Sequence, residues 1–253
     1  MKLVKRSRLI YRSRVEYGSF GINHYSGCAH GCKYCSSMFR DIRFRHCRNR
    51  QDWMRAQPVK NAVRQVEDEY WTNQTLQAQL HDGQSWVWLC PATDPYQPLE
   101  DELCITSRIL KHLVTSKVPV RILTKSESVC NDEDTIIRHS DLVQVGFTIT
   151  TLDDDLALKW EPEASMIHDR IKTLRYFHAN GVKTWLSDEP ILKADHLELL
   201  EALKDDVDQW IFGKDNYMKR DLPYPRIRDE IIQWFQAHNM TNYLIKKELM
   251  GAT

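Results

Sequence analysis

Three cysteines fall within eight residues of this chain, at Cys28, Cys32 and Cys35. Their spacing, C-x3-C-x2-C, differs from the two separated pairs common in structural zinc sites, and no second pair follows at zinc-ribbon spacing. Three thiolates can hold three irons of a [4Fe–4S] cluster and leave the fourth iron open to a small molecule. Gly27 and Gly31 allow the backbone to wrap closely around such a group. The spacing therefore predicts an iron–sulfur site.

A zinc site is the alternative, because His24, His30 or Cys47 could complete a set of four ligands. The chain has 253 residues and seven cysteines, which is too long and too uneven for a typical disulfide scaffold. We expect a reduced, cytoplasmic compartment, in which clustered cysteines bind metals or take part in catalysis. The sequence holds no run of 18 apolar residues, and its charged start is not followed by an apolar segment. Neither a membrane span nor a secretory signal is therefore expected.

Short apolar or β-branched runs alternate along the chain with longer segments of helical pattern. The predicted strands are a first one around Val15–Ile22, then Ser85–Leu89, Val120–Leu123, Leu142–Thr150, Val182–Leu186, Trp210–Phe212 and Tyr243–Ile245. The predicted helices are Val59–Leu80, Leu103–Leu113, Asp132–His139, Met166–Asn180, His196–Lys204 and Arg226–His238. Alternation of this kind indicates βαβ units and a parallel sheet. We predict an α/β fold of the partial (β/α)6 barrel type, with short N- and C-terminal extensions, in which chemistry collects at the carboxyl ends of the strands.

Polar segments follow the predicted strands where that chemistry would lie. They are Thr93–Glu100, Leu123–Ser126 and Gly146–Asp153, and Glu161-Pro162 precedes a helix that contains Arg170. With Tyr34 at the aromatic position of C-x3-C-x-(aromatic)-C, the cysteine motif resembles that of the radical S-adenosylmethionine superfamily. The later segments resemble the spore photoproduct lyase and DNA repair photolyase-like group. The resemblance covers residues 15–192 as the core of a single domain, 1–253, in which residues 193–253 complete the barrel.

The resemblance implies both a cofactor and a reaction. In that superfamily the open iron chelates S-adenosylmethionine, and one electron from the cluster breaks a C–S bond to give methionine and a 5′-deoxyadenosyl radical, which abstracts hydrogen from a substrate. By resemblance, Thr93 contacts the methionine end of the cofactor, Lys125 its carboxylate or ribose, Thr148 its ribose region and Tyr34 its adenine. A one-electron reductant such as flavodoxin or ferredoxin is implied as a partner.

Two positions depart from the pattern of the lyase. Ser36 follows the last cysteine where the lyase has another aromatic residue. The lyase also has a cysteine that returns hydrogen to the product radical, whereas Pro91 occupies the equivalent place here and Cys90 precedes it. Because strand side chains alternate between faces, a shift of one residue could turn Cys90 away from the cavity. Cys90 is the candidate hydrogen donor, with a buried structural cysteine as the alternative.

Charge is distributed unevenly along the chain. Residues 1–50 contain 12 Lys or Arg but only Glu16 and Asp41, a local balance of +10 in a chain whose net charge is zero. Five arginines and Phe44 lie between residues 40 and 50, a composition that suits phosphate contacts and base stacking. Nucleic acid is thus the candidate substrate and partner, with a solvated basic face as the alternative for this segment. The alternatives are a radical enzyme that modifies a peptide or small metabolite, and a zinc-stabilised nucleic-acid-binding module without catalysis.

Overall fold

The computed structural model describes residues 2–13, 15, 18–218 and 221–251, and the statements below concern these residues. Short strands occur along the whole length of the described chain. They are β1 (Ile10–Arg12), β2 (Phe20–Ile22), β3 (Tyr25–Ser26), β4 (Gln57–Pro58), β5 (Val87–Leu89), β6 (Val120–Thr124), β7 (Val143–Thr148), β8 (Lys183–Asp188), β9 (Gln209–Phe212) and β10 (Tyr243–Ile245).

Eight of these strands form one sheet in the order β1-β2-β5-β6-β7-β8-β9-β10. Strand β1 pairs with β2 in the antiparallel sense, and every other neighbouring pair in this sheet is parallel. The register Thr124↔Phe147, Thr148↔Ser187 and Asp188↔Phe212 brings the carboxyl ends of β6 to β9 to one rim. This confirms the predicted α/β class with a largely parallel sheet.

The sheet curves, because side chains from distant strands meet on its inner face. Trp88 of β5, Trp185 of β8 and Ile211 of β9 belong to one buried apolar cluster. Arg121 Nη2 of β6 donates to Gln209 Oε1 of β9 at 3.0 Å, although two strands lie between them. In a flat sheet with a strand spacing of about 4.8 Å these groups would be too far apart for both contacts to form. The inner face is therefore concave, as in a partial barrel.

Helices connect the strands. They are α1 (Ser36–Arg43), α2 (Arg50–Met54), α3 (Ala62–Thr72), α4 (Gln74–Leu80), α5 (Pro98–Leu103), α6 (Ile105–Thr115), α7 (Glu133–Arg138), α8 (Asp154–Trp160), α9 (Ile167–Ala179), α10 (His196–Leu203), α11 (Tyr224–Ala237) and α12 (Lys247–Met250), with a 3₁₀ helix at Glu127–Asp132. In the described parts of the chain, none of them combines the length and apolar character that a membrane span requires.

Two helix predictions need correction. The segment predicted as one helix, Val59–Leu80, is divided into α3 and α4 at Asn73, whose side chain accepts from the Leu76 backbone N–H and caps α4. The helix predicted from Leu103 begins at Ile105 instead, because Cys104 adopts a left-handed backbone (φ +50°) between α5 and α6. Asparagine side chains compete with the helix backbone for hydrogen bonds, and so they favour such boundaries.

Candidate active site at the carboxyl ends of the strands

A cavity of about 330 Å³ opens at the carboxyl ends of the parallel strands. Its wall contains every residue for which the sequence predicts a role in binding the cluster or the cofactor or in hydrogen transfer. These residues come from the cysteine loop (residues 27–35), the segment after β5, and the ends of β6 and β7. They are Cys28, Cys32, Tyr34, Cys35, Cys90, Thr93, Lys125 and Thr148. The fold thus brings together residues separated by 120 positions in the chain, and their individual roles stay predictions.

The cysteine loop packs on α2 and is hydrogen-bonded to it through the loop backbone. The carbonyl of Trp53 accepts from the Cys28 backbone N–H at 3.0 Å, and Arg50 donates twice to the carbonyl of Gly31, at 2.9 and 2.6 Å. Gly27 and Gly31 have φ values of +81° and +58°, which side chains rarely tolerate, and a Cβ at either would collide with α2. Glycine at both positions therefore lets the loop lie directly on this helix.

The three cysteines of the loop are free thiols, and two of them are almost fully buried. Burial raises the pKa of Cys32 to about 12, although the ammonium of Lys125 opposes this change. Burial likewise raises the pKa of Cys28 and of Cys35. In the part of the chain that the structure describes, no three His, Cys, Asp or Glu side chains converge as ligands of a single metal ion. Three cysteine thiols in the wall of one cavity are the type of donor that iron–sulfur clusters use.

Asp94 organises the cavity wall, although the sequence analysis assigned no role to this residue within the segment Thr93–Glu100. Its carboxylate accepts from Thr124 Oγ1 at 2.7 Å and from the backbone N–H groups of Tyr96 and Lys125, both at 2.9 Å. His30 Nδ1 of the cysteine loop lies 3.3 Å away. Burial acts to raise the pKa of Asp94, but His30 and these hydrogen bonds hold it at about 2. The signal that could have identified Asp94 is a carboxylate directly after a buried strand.

Lys125 and Tyr34 lie together on another part of the wall. The Lys125 Nζ lies 5.7 Å from the centre of the Tyr34 ring, and no carboxylate pairs with it among the described residues. The Tyr34 hydroxyl donates to Glu161, which forms a fully buried ion pair with Arg170 at 2.5 Å. Arg170 also donates to the carbonyl of Thr148 at 2.9 Å. The cysteine loop and the end of β7 are thereby tied to the same buried charge pair.

Cys90 lies in the cavity wall, although it stands one residue before Pro91, which occupies the position of the lyase's hydrogen-donating cysteine. Its backbone is left-handed, with φ +51°, so the alternation of strand side chains is interrupted at this residue. The thiol is 1% exposed, and its Sγ lies 3.5 Å from both ring nitrogens of His24. Burial raises the pKa of the Cys90 thiol to about 12. A shift of one residue therefore does not remove Cys90 from the site.

Beyond β7, the wall continues along the ends of β8 and β10 and the segment after β9. The ammonium of Lys246 pairs with Glu189 at 2.5 Å, and a Cβ on Gly213 would lie 2.9 Å from the Glu189 Cγ. Lys214 lines the same region. Sequence reasoning did not identify these charged residues, because no motif marks them.

The basic segment at residues 40–50 is divided by the structure into different roles. Arg50 is bound to the cysteine loop, and Arg48 is paired with Asp52 at 2.5 Å. Arg43 and Arg45 are exposed, and Arg40 lines the cavity. The arginines of this segment are therefore not equivalent.

Comparison with known proteins gives distant relatives. No family model matches the chain. It is 26% identical over 191 residues to an uncharacterized protein, MJ0683, of Methanocaldococcus jannaschii, which covers 75% of this chain and 66% of that protein. It is also 26% identical over 223 residues to ORF301 of Acidianus two-tailed virus, covering 81% and 68% of the two chains. The chain thus spans just under two thirds of the Methanocaldococcus relative.

Solved structures share the fold. Spore photoproduct lyase complexed with dinucleoside spore photoproduct matches with a TM-score of 0.62 and 18% identity, over 90% of this chain and 65% of that one. SuiB of Streptococcus suis matches with 0.64 and 16% when bound to the precursor peptide SuiA, over 89% and 48%, and with 0.57 and 15% when bound to S-adenosylmethionine, over 72% and 42%. The predicted resemblance is therefore confirmed for the fold, which this chain shares with spore photoproduct lyase and SuiB.

Proposed function

We propose that this chain is a radical S-adenosylmethionine enzyme that binds a [4Fe–4S] cluster through Cys28, Cys32 and Cys35. The observation that carries the proposal is the common cavity, whose wall contains those cysteines together with the residues expected to hold the cofactor. A chance set of structural residues would not be expected to converge on one site from four separate segments. The fold shared with SuiB bound to S-adenosylmethionine supports the same conclusion.

The cluster, when bound, supplies one electron that breaks a C–S bond of S-adenosylmethionine, leaving methionine and a 5′-deoxyadenosyl radical. The chain's own residues bind and orient the cofactor. The unpaired ammonium of Lys125 is suited to a charge-assisted hydrogen bond with a carboxylate. Tyr34 borders the adenine in this proposal, with its hydroxyl fixed by Glu161, while Thr93 and Thr148 lie on either side of the same space.

Hydrogen transfer is the second role that the chain must fill if a product radical has to be quenched. Cys90 is our candidate donor, because its thiol is protonated at neutral pH and lies on the cavity wall. Transfer of a hydrogen atom from the thiol to a carbon radical would leave a thiyl radical on Cys90, which a further electron and proton from the reductant would restore. Flavodoxin or ferredoxin is the class of reductant we propose.

Nucleic acid is the substrate class that we favour. The likeness to spore photoproduct lyase bound to a dinucleoside supports it, as do the basic composition of residues 1–50 and the position of Arg40 in the cavity wall. Modification of a peptide is the second candidate, because the fold is equally similar to that of SuiB bound to the precursor peptide SuiA.

Anaerobic reconstitution tests the metal. We expect about four irons and four sulfides per chain and a brown protein. Replacing any one of Cys28, Cys32 and Cys35 by Ala should abolish iron uptake. Cys47→Ala is the matched control, because Cys47 packs beside the cysteine loop but does not line the cavity, and it should keep the cluster. Stoichiometric zinc in a colourless protein without iron uptake would overturn the proposal in favour of the zinc-stabilised module.

Cofactor cleavage is tested with the same reconstituted protein. After reduction with dithionite and addition of S-adenosylmethionine, chromatography should detect 5′-deoxyadenosine and methionine in equal amounts. A protein that holds four irons but releases neither product would contradict the proposed reaction while leaving the cluster assignment intact.

A further inference from the structure

A second cavity, of about 270 Å³, adjoins the active site on the side of α1. The two share Arg40, Ala92 and Thr93 in their walls, so they adjoin at these residues. Of these two cavities, only the outer one, which we call the outer pocket, is lined by Arg6 and His46, and Arg6 also borders a groove along α3 that contains Asp68 and Glu69. Thr93 is one of the residues assigned to the cofactor, and the outer pocket therefore ends beside the reacting groups.

The outer pocket is positively charged. Arg6 has no carboxylate within ion-pair distance among the described residues, and Arg40 faces only its neighbour Asp41, at 3.5 Å with half of its side chain exposed. Both guanidinium groups act to lower the pKa of Tyr11, although burial, the larger effect, raises it. Two arginines thus share the pocket with the single carboxylate of Asp41, which His46 Nδ1 also approaches at 3.8 Å, and the excess of guanidinium charge suits an anion.

An aromatic surface lies at the rim of the outer pocket. Phe44 is 62% exposed, and its ring centre lies 6.2 Å from that of His46. An exposed phenylalanine beside cationic side chains is the arrangement on which nucleic-acid bases stack in single-strand-binding proteins. An acidic peptide would use the cations but would have no use for this ring.

We infer that the outer pocket binds a phosphate of a single-stranded nucleic acid through Arg6, Arg40 and His46. In this arrangement Phe44 stacks on a flanking base, and the next nucleotide passes Thr93 into the active site. The inference rests on the proposed function, whose substrate class it specifies. It also separates the arginines of the basic segment, because Arg48 is held by Asp52 outside the outer pocket and does not contribute.

Fluorescence anisotropy with a labelled single-stranded oligonucleotide of about ten nucleotides tests this site. Arg6→Ala and Arg40→Ala should each weaken binding about fivefold to tenfold in about 50 mM salt, and each should reduce the slope of log affinity against log salt by about 0.7. Phe44→Ala should weaken binding without changing that slope. Arg48→Ala removes the same charge from the same segment and should change affinity less than about twofold, because Arg48 lies outside the pocket.

Two outcomes would overturn the inference. If Arg48→Ala lost as much affinity as Arg6→Ala and Arg40→Ala, the whole basic segment would act as a diffuse surface rather than as a site. If a labelled oligoglutamate bound as tightly and lost affinity in the same variants, the partner would be an acidic peptide.

Release of 5′-deoxyadenosine by the unmodified, reconstituted protein is measured alongside strand binding by the variants. The two measurements distinguish failure of the outer pocket as a binding site from failure of the proposed reaction. Release of 5′-deoxyadenosine without any effect of Arg6→Ala or Arg40→Ala on strand binding would refute the outer pocket and leave the reaction standing. Strand binding with the predicted losses, but with no 5′-deoxyadenosine, would refute the reaction and leave a nucleic-acid site.

Discussion

Asp94→Asn is the substitution that most directly tests how the cavity wall is held together. The wild-type carboxylate accepts hydrogen bonds on both oxygens, from Tyr96 and Thr124 on one side and from Lys125 on the other. An amide has one acceptor oxygen, and its NH2 group would face a donor on the opposite side. Backbone N–H groups cannot reverse their direction, so at least one of them loses its partner in this variant.

The expected cost follows from these contacts. The best orientation of the amide keeps Tyr96 and Thr124 and leaves the Lys125 backbone N–H unpaired in a half-buried place, which costs about 1–3 kcal/mol. The two remaining hydrogen bonds lose the charge of the acceptor, and each is weakened by about 1 kcal/mol. We therefore expect Asp94→Asn to lower the free energy of unfolding by about 3–5 kcal/mol. The displaced Lys125 should also weaken the binding of S-adenosylmethionine.

Urea denaturation followed by circular dichroism gives the free energy of unfolding for this comparison. Asp101→Asn is the matched control, because its carboxylate lies on the exposed face of α5 and accepts one long hydrogen bond, from Asn131 at 3.2 Å. It should change stability by less than about 0.5 kcal/mol. Equal stability of Asp94→Asn and wild type would refute the reasoning, since it would mean that the hydrogen bonds to this carboxylate contribute nothing.

Three further substitutions test other parts of the structure. Gly146→Ala places a Cβ within 2.5 Å of the Trp185 indole nitrogen and should destabilise the barrel interior by about 1–3 kcal/mol in urea denaturation, with a smaller effect in a Trp185→Leu background. Burial, with the nearby acidic groups, raises the pKa of Asp188 well above its ordinary value. The unfolded chain therefore loses this proton more readily than the folded protein, and the carboxyl lowers the free energy of unfolding as pH rises above about 4. Asp188→Asn should raise the melting temperature at pH 8 and leave it unchanged below about pH 4. Lys125→Ala should weaken S-adenosylmethionine binding by about 1–3 kcal/mol in calorimetry of the reconstituted protein, and unchanged affinity would mean that Lys125 is simply solvated.

Periodicity predicted most of the fold because the strands and helices bury continuous apolar faces. Tyr243–Ile245 agrees with β10 to the residue, and Met166–Asn180 differs from α9 by one residue at each end. The short helices α1, α2, α5, α8 and α12 were not predicted, because so few turns show little period. Helices α7 and α10 are also short but were predicted, the first from its acidic first turn. Strand β1 was also missed, because three residues at an antiparallel edge carry little pattern.

The site was predictable where a motif marks it and not where only the folded chain creates it. The cysteines are marked by spacing, and Lys125 and Thr148 by resemblance. Gln97 carries no such signal, yet its fully buried side chain accepts from the Ala29 backbone N–H at 3.0 Å and donates to the Gly27 carbonyl at 3.3 Å. A glutamine that satisfies the backbone of a loop 70 residues away cannot be identified from the residues beside it.

These backbone contacts decide how the cysteine substitutions should be interpreted. The cysteine loop is held by Gln97, by Arg50, and by the carbonyls of Trp53 and Trp160, the last accepting from the Lys33 backbone N–H at 2.8 Å. None of these hydrogen bonds uses a cysteine side chain, so the loop has anchors on three sides that do not depend on a cluster. Cys32→Ala removes one sulfur from this loop and leaves every one of those anchors in place. Loss of iron in that variant therefore reports the loss of a ligand rather than the unfolding of the loop that carries it.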